Sequence, residues 1–302
     1  MTKQIECEEG SLNTSGGKVY YLRHGSRNTD RAPLIIIHGG PGFTHHYLES
    51  LYVLASERPV IFYDQLGCGQ SDRPKEQTFY TVDYYVSELA QLIEHLNVEQ
   101  VSLLGHSWGS VIAAEYASRN DRVSHLIFAS PYLGSKLWMA DADRYISKLP
   151  VDLKYARHTK VPEVFMELFN EYYKRHVYGN VQSERTMQKS AVAAGREVYQ
   201  IMWGENEFNI SGVLKDYDAT EKLKNIKAKT LFTCGESDTG SPKACKELAS
   251  NIPSSKIKVF KKCAHFPHLE QKLEYVECLR NFLNDKPLPG NRIVDKLKSI
   301  FS

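Results

Sequence analysis

The chain has 302 residues, 42% hydrophobic and 25% charged, the balance of an ordinary globular protein rather than a disordered or low-complexity chain. Basic and acidic residues nearly cancel to a formal net charge of +2, which excludes a whole-protein field favouring nucleic acid or an anionic membrane. The opening MTKQIECEEG lacks the apolar stretch of a secretory signal, the longest purely aliphatic run is LIII at 34–37, and Cys7, Cys68, Cys234, Cys245, Cys263 and Cys278 follow no disulfide or C-x-x-C spacing, so a soluble, cytoplasmic protein with free thiols is expected.

Strand-like runs come first, at KVYYLRH (18–24), LIIIH (34–38) and VIFYD (60–64). A helix follows over 81–96, where Val82, Tyr85, Val86, Leu89, Leu92, Ile93 and Leu96 share one face. Next are VSLLG (101–105), a helix-like run VIAAEYASRN (111–120) and HLIFAS (125–130). From Leu133 to Asp218 the strand runs stop, and the chain is rich in Tyr, Lys, Arg, Glu and Met at helical spacing. Strands resume at TLFTC (230–234) and KIKVFK (256–261). This alternation predicts an α/β protein with a mostly parallel central sheet flanked by helices, interrupted by a helical insertion. The expected layout is a core in two parts, 1–132 and 219–285, a helical cap at 133–218, and a linker and tail at 286–302. In the tail, NRIVDKLKSIFS, residues Ile293, Leu297, Ile300 and Phe301 form one face. So short a helix is expected to dock on its own body or a neighbouring subunit rather than on a membrane; the sequence does not set the oligomeric state.

Residues 105–109 read GHSWG, a serine between a strand run and a helix run. A strand that turns at once into a helix leaves no room for side chains two positions before and after the serine, and Gly105 and Gly109 stand there. Ser107 is therefore a candidate nucleophile. A serine alcohol needs a base, a group that orients the base, and donors for an oxyanion. After Ser107, in the order Ser, acid, His, the chain offers Asp238 in the loop after one strand run and His265 at the end of the next. Glu236 and His268 are the nearest rivals. HGGPG at 38–42 follows a buried strand run and offers small residues where a backbone N–H must approach a tetrahedral intermediate, so the N–H groups of Gly40 and Trp108 are the candidate oxyanion donors. The pairs His265 with His268 and His45 with His46 lack the fuller ligand set of a zinc site, and no metal or other cofactor is expected.

Together HGGPG, FYDQLGCGQS (62–71), GHSWGS, GESD and CAHFPHLE resemble the α/β-hydrolase fold, and within it the proline iminopeptidase family of serine aminopeptidases and related amino-acid amidases. The resemblance runs from about residue 16 to 285 and implies Ser107 as nucleophile, His265 as general base, Asp238 as orienting acid, and Gly40 and Trp108 as oxyanion donors. It also implies release of an N-terminal residue, proline or another, from small peptides or amino-acid amides through an acyl-enzyme. WGENEFNISG (203–212) resembles the family's cap segment, in which a glutamate, here Glu207, holds the substrate's free α-amino group. Relatives with a double glutamate clamp carry a second glutamate directly after the catalytic acid, where this chain has Thr239; Glu205 is the available substitute. The competing readings are an esterase, lactonase or carbon–carbon bond hydrolase of the same fold, and a non-catalytic binding protein built on it.

Overall fold

Four consecutive aliphatic residues make β3 (Leu34–Ile37), and all four are fully buried. A strand without polar alternation must be covered on both faces. Leu34 and Ile36 pack with the 3₁₀-helical stretch His45–Ser56 and α11 (Lys272–Leu283). Ile35 and Ile37 pack into the opposite layer, with α1 (Val82–His95) and α2 (Gly109–Ala117). Each such side chain stabilises the fold by about 1.5–3 kcal/mol relative to exposure. The structure is a computed structural model in which residues 5–26, 29–159 and 161–289 are described.

Around β3 lies an eight-stranded sheet in the order β1-β2-β4-β3-β5-β6-β7-β8. Its members are β1 (Cys7–Thr14), β2 (Gly17–His24), β4 (Val60–Tyr63), β5 (Val101–His106), β6 (Val123–Ala129), β7 (Lys229–Gly235) and β8 (Lys256–Phe260). The first three in spatial order pair antiparallel, and every pairing from β4 to β8 is parallel. The carboxyl ends of β3, β5, β7 and β8 therefore open on one edge. The strand runs anticipated from sequence are all present, whereas β1 was not anticipated. Its residues CEEGSLNT are exposed or half-buried and only Leu12 is buried, so it carries no apolar signal; its partner is supplied by a hairpin that turns at Ser15 and Gly16.

Between β6 and β7 the chain forms α3 (Ser135–Ile146), α4 (Val151–Lys154), α5 (Pro162–Tyr172), a π-helical turn (Tyr173–Tyr178), α6 (Arg185–Ala193) and α7 (Arg196–Met202). A largely non-helical stretch then leads to α8 (Thr220–Leu223) and β7. Two short helices frame the last loops, α9 (Pro242–Ala249) after β7 and α10 (Pro267–Glu270) after β8. The amphipathic tail at 291–302 lies outside the described residues.

Candidate active site

β5 ends at His106 and α2 begins at Gly109, so the reversal of direction is left to Ser107 and Trp108. Ser107 takes φ +53°, a left-handed conformation that costs a non-glycine residue about 1–3 kcal/mol. The turn is held by Ser107 N–H donating to the Ala129 carbonyl at 3.0 Å and Tyr132 N–H donating to the Ser107 carbonyl at 3.2 Å. A Cβ at position 105 would lie 2.4 Å from the Gly109 carbonyl oxygen, and one at position 109 would lie 2.3 Å from that of Ile37. Both glycines are thus required by backbone contact. Ser107 is half-buried between fully buried neighbours and lines a cavity of about 390 Å³.

Asp238 stands in the loop after β7 and His265 in the loop after β8. The His265 Nδ1–H donates to Asp238 Oδ1 at 2.7 Å, and the same oxygen accepts the Gly240 N–H at 2.9 Å. The other oxygen faces the Gly235 N–H at 3.3 Å. Asp238 is fully buried, and His265 is nearly so. With Nδ1 engaged, Nε2 of His265 remains for chemistry in the cavity, which His265 lines together with Ser107.

The rivals occupy other environments. His268 is buried outside the cavity lining, its Nε2–H donating to the Tyr47 carbonyl at 3.1 Å, and burial pushes its pKa down to about 3. Glu236 is exposed and accepts the Lys262 N–H at 3.1 Å.

The HGGPG turn is fastened from two sides. Gly40 takes φ +124° before a cis bond to Pro41, and a Cβ there would lie 2.5 Å from the Phe43 nitrogen. Gln65 donates from Nε2 to the His38 carbonyl at 2.8 Å and accepts the Trp108 indole N–H at 2.8 Å. One side chain from the YDQ stretch therefore ties the loop of Gly40 to the turn of Trp108. Neither backbone N–H, of Gly40 or of Trp108, donates to another described residue. A second chain runs underneath: Gly39 N–H donates to the Tyr47 phenol at 2.7 Å, the phenol donates to His106 Nδ1 at 2.9 Å, and His106 Nε2–H donates to the His265 carbonyl at 3.0 Å. Sequence reasoning missed Gln65, Tyr47 and His106 as supports. Two of them were in view, inside the quoted motifs, but no pattern reveals what a buried polar side chain will meet.

The same cavity is lined by Glu205 and Glu207, from the non-helical stretch after α7. Glu207 Oε2 accepts the phenol protons of Tyr173 and Tyr199, both at 3.0 Å. Burial raises its pKa, while Tyr199, Tyr173 and the nearby charge of His265 oppose the rise. Glu205 is exposed. Thr239 is buried at the cavity wall, its hydroxyl 2.6 Å from the Tyr172 phenol. The tyrosines could not be found from sequence, since they lie on separate helical elements without a motif.

Among the described residues, two clusters carry metal-type ligands, His45 with His46 and Glu49, and His38 with Asp64 and Cys68. One ring nitrogen of each histidine is engaged: His45 Nδ1 with Asp64 at 2.8 Å, His46 Nδ1 with the Thr44 hydroxyl at 2.9 Å, and His38 Nε2 with the Gln65 N–H at 3.0 Å.

Comparison with known proteins bears on this geometry. Residues 32–272 match the family described as the alpha/beta hydrolase fold. The chain is similar to a proline iminopeptidase of Heyndrickxia coagulans, 39% identical over 286 residues covering 91% of this chain and 98% of the relative. It is 34% identical to one from Clostridium botulinum, covering 93% and 99%. Among solved structures, the proline iminopeptidase of Mycobacterium smegmatis superimposes with a TM-score of 0.86 at 29% identity, over 92% of this chain and 98% of that one.

Proposed function

The chain belongs to the proline iminopeptidases of the α/β-hydrolase fold, and on that premise we propose a role for each residue facing the cavity. It is a prolyl aminopeptidase-like serine hydrolase that releases an N-terminal residue from small peptides. Ser107 attacks the scissile carbonyl as His265 Nε2 takes its proton, and Asp238 fixes the imidazole tautomer and stabilises the imidazolium. The N–H groups of Gly40 and Trp108 receive the developing oxyanion. His265 then protonates the leaving amine, and water attacks the acyl-enzyme with His265 again as base. No step calls for a cofactor. A cytoplasmic setting fits the six free cysteines, five of them buried.

The observation that carries the substrate reading is the Glu207 carboxylate, half-buried in the cavity of Ser107 and His265 with one oxygen occupied by two phenols. An N-terminal ammonium brought against it supplies the counter-charge that burial withholds, and a blocked N-terminus leaves the carboxylate desolvated without one. Thr239 supplies no second charge. The amino group is therefore held by Glu207, with Glu205 at the exposed rim. The test is a pair of prolyl anilides, one with a free amine and one N-acetylated. Turnover of the free amine should exceed that of its twin by about a hundredfold or more, as expected when a buried charge loses its partner. Equal rates, or preference for the acetylated form, would overturn the assignment of Glu207.

A further inference from the structure

The π-helical turn Tyr173–Tyr178 rests against both loops of the acid–base pair. None of its side chains reaches the Asp238 carboxylate; the turn instead holds the backbone on either side. The His176 Nδ1–H donates to the Ser237 carbonyl at 2.8 Å, and the His176 carbonyl accepts the Thr239 N–H at 3.0 Å. One residue on, the Val177 carbonyl accepts the His265 N–H at 3.1 Å. Two consecutive residues of the helical segment thus bracket Asp238 and touch His265.

The local chemistry gives His176 one orientation. A carbonyl only accepts, so the proton must sit on Nδ1. The ring stacks on Tyr145, centroids 3.8 Å apart at 26°, and the Arg144 guanidinium lies 4.2 Å from the centroid of that tyrosine. Ring and donor are therefore separable functions: the stack holds the helical segment to itself, and the N–H reaches across to the acid loop.

Building on the roles proposed for Ser107, His265 and Asp238, we infer that His176 is a positioning residue, whose side chain from the helical segment sets the acid loop at the height where Asp238 Oδ1 meets His265 Nδ1. The acid and base loops are tied to each other by the Ser237 N–H to the Cys263 carbonyl at 2.9 Å and by Glu236 accepting the Lys262 N–H at 3.1 Å, and to the helical segment by the backbone bonds of Thr239 and His265. Freeing the Ser237 carbonyl therefore lets the pair of loops tilt together about those backbone bonds. A displacement of well under 1 Å is enough to misalign the 2.7 Å contact. Triad geometry converts such displacements into rate, about a hundredfold for 1 Å.

Two substitutions separate the functions. His176→Phe keeps an aromatic ring against Tyr145 and removes the donor; His176→Asn places an amide N–H near the former Nδ1–H and removes the ring. The expected result is that His176→Phe lowers kcat on a free-amine prolyl anilide about tenfold or more with KM within about twofold, and slows fluorophosphonate labelling of Ser107 by a similar factor. His176→Asn should restore both to within about threefold of wild type. Unchanged kcat and labelling in His176→Phe, an asparagine variant as slow as the phenylalanine one, or an effect confined to KM would overturn the inference. If His176→Phe does not fold, His176→Ala against His176→Asn makes the same comparison of donor absent and present. Labelling needs no peptide, so a wild type that labels rapidly yet prefers the acetylated anilide would sink the aminopeptidase reading and leave this test standing.

Discussion

The strand-end loops carrying Ser107, Asp238 and His265 and the non-helical stretch carrying Glu207 face one cavity, but the first are held mostly by backbone, with His176 as a side-chain brace, and the second by side chains. Ser107 is fixed by a left-handed turn with no space for a Cβ two residues away, and Asp238 by N–H groups from its own loop. Glu207 instead depends on phenols from α7 and the π-helical turn. The difference teaches where tolerance lies. Backbone constraints cannot be replaced by another side chain, whereas a phenol donor can be shifted or exchanged, so reaction chemistry should be the rigid half and selectivity the adjustable one.

The largest expected effect breaks the rigid half. Ser107→Ala should lower kcat by about 10⁴-fold or more while the melting temperature stays equal to or above that of wild type, since the left-handed strain is a backbone property that remains. Fluorophosphonate labelling followed by mass spectrometry would show whether the adduct vanishes; wild-type turnover in this variant would end the nucleophile assignment.

Breaking the adjustable half should leave the chemistry intact. Glu207→Gln keeps an acceptor for Tyr173 and Tyr199 but removes the charge, and kcat/KM on free-amine anilides should fall by about 10–10³-fold. Labelling of Ser107 should stay within about threefold of wild type, because no group of the triad is touched. If labelling fell in parallel with turnover, the division between the two regions would be false.

The smallest effect lies in the sheet's helical layer and concerns stability alone. Glu88 is fully buried on α1 among Tyr85, Leu89 and Leu92, with one oxygen accepting the Leu66 N–H at 3.0 Å, and burial pushes its pKa up to about 8. Unfolded, it ionises near 4.5. Between these values the folded chain holds more protons than the unfolded one, so stability falls as pH rises through that window and levels off above it. Glu88→Gln should remove this loss, on the order of 1–4 kcal/mol at pH 8.5 and little at pH 4.5, with activity unchanged. Thermal melts of both proteins across that range measure it; parallel curves would refute the buried-carboxylate explanation.

Glu88 also marks a limit of pattern reading. The apolar face of α1 was legible from its 3.6-residue spacing, and Glu88 flanks that face beside Leu92, yet nothing in the spacing shows that a carboxylate there is buried rather than turned outward. The strands β3 to β7 were legible because apolar runs covered on both faces leave a continuous signal, and β2 and β8 because they keep β-branched and aromatic residues at strand spacing. The exposed edge strand β1 was not, since its order comes from a partner rather than from its own residues.

By itself, the sequence determined the α/β alternation, the interruption by helices, and the loops on which Ser107, Asp238 and His265 stand, because apolar periodicity and tight-turn glycines are local properties of a chain. Only the tertiary structure decided that Gln65 joins the turns of Gly40 and Trp108, that two tyrosines from separate elements share one oxygen of Glu207, and that His176 braces the loop of Asp238. Those contacts join residues far apart along the chain, and a polar side chain's partner is set by what the packed layers bring within about 3 Å, which no local pattern encodes.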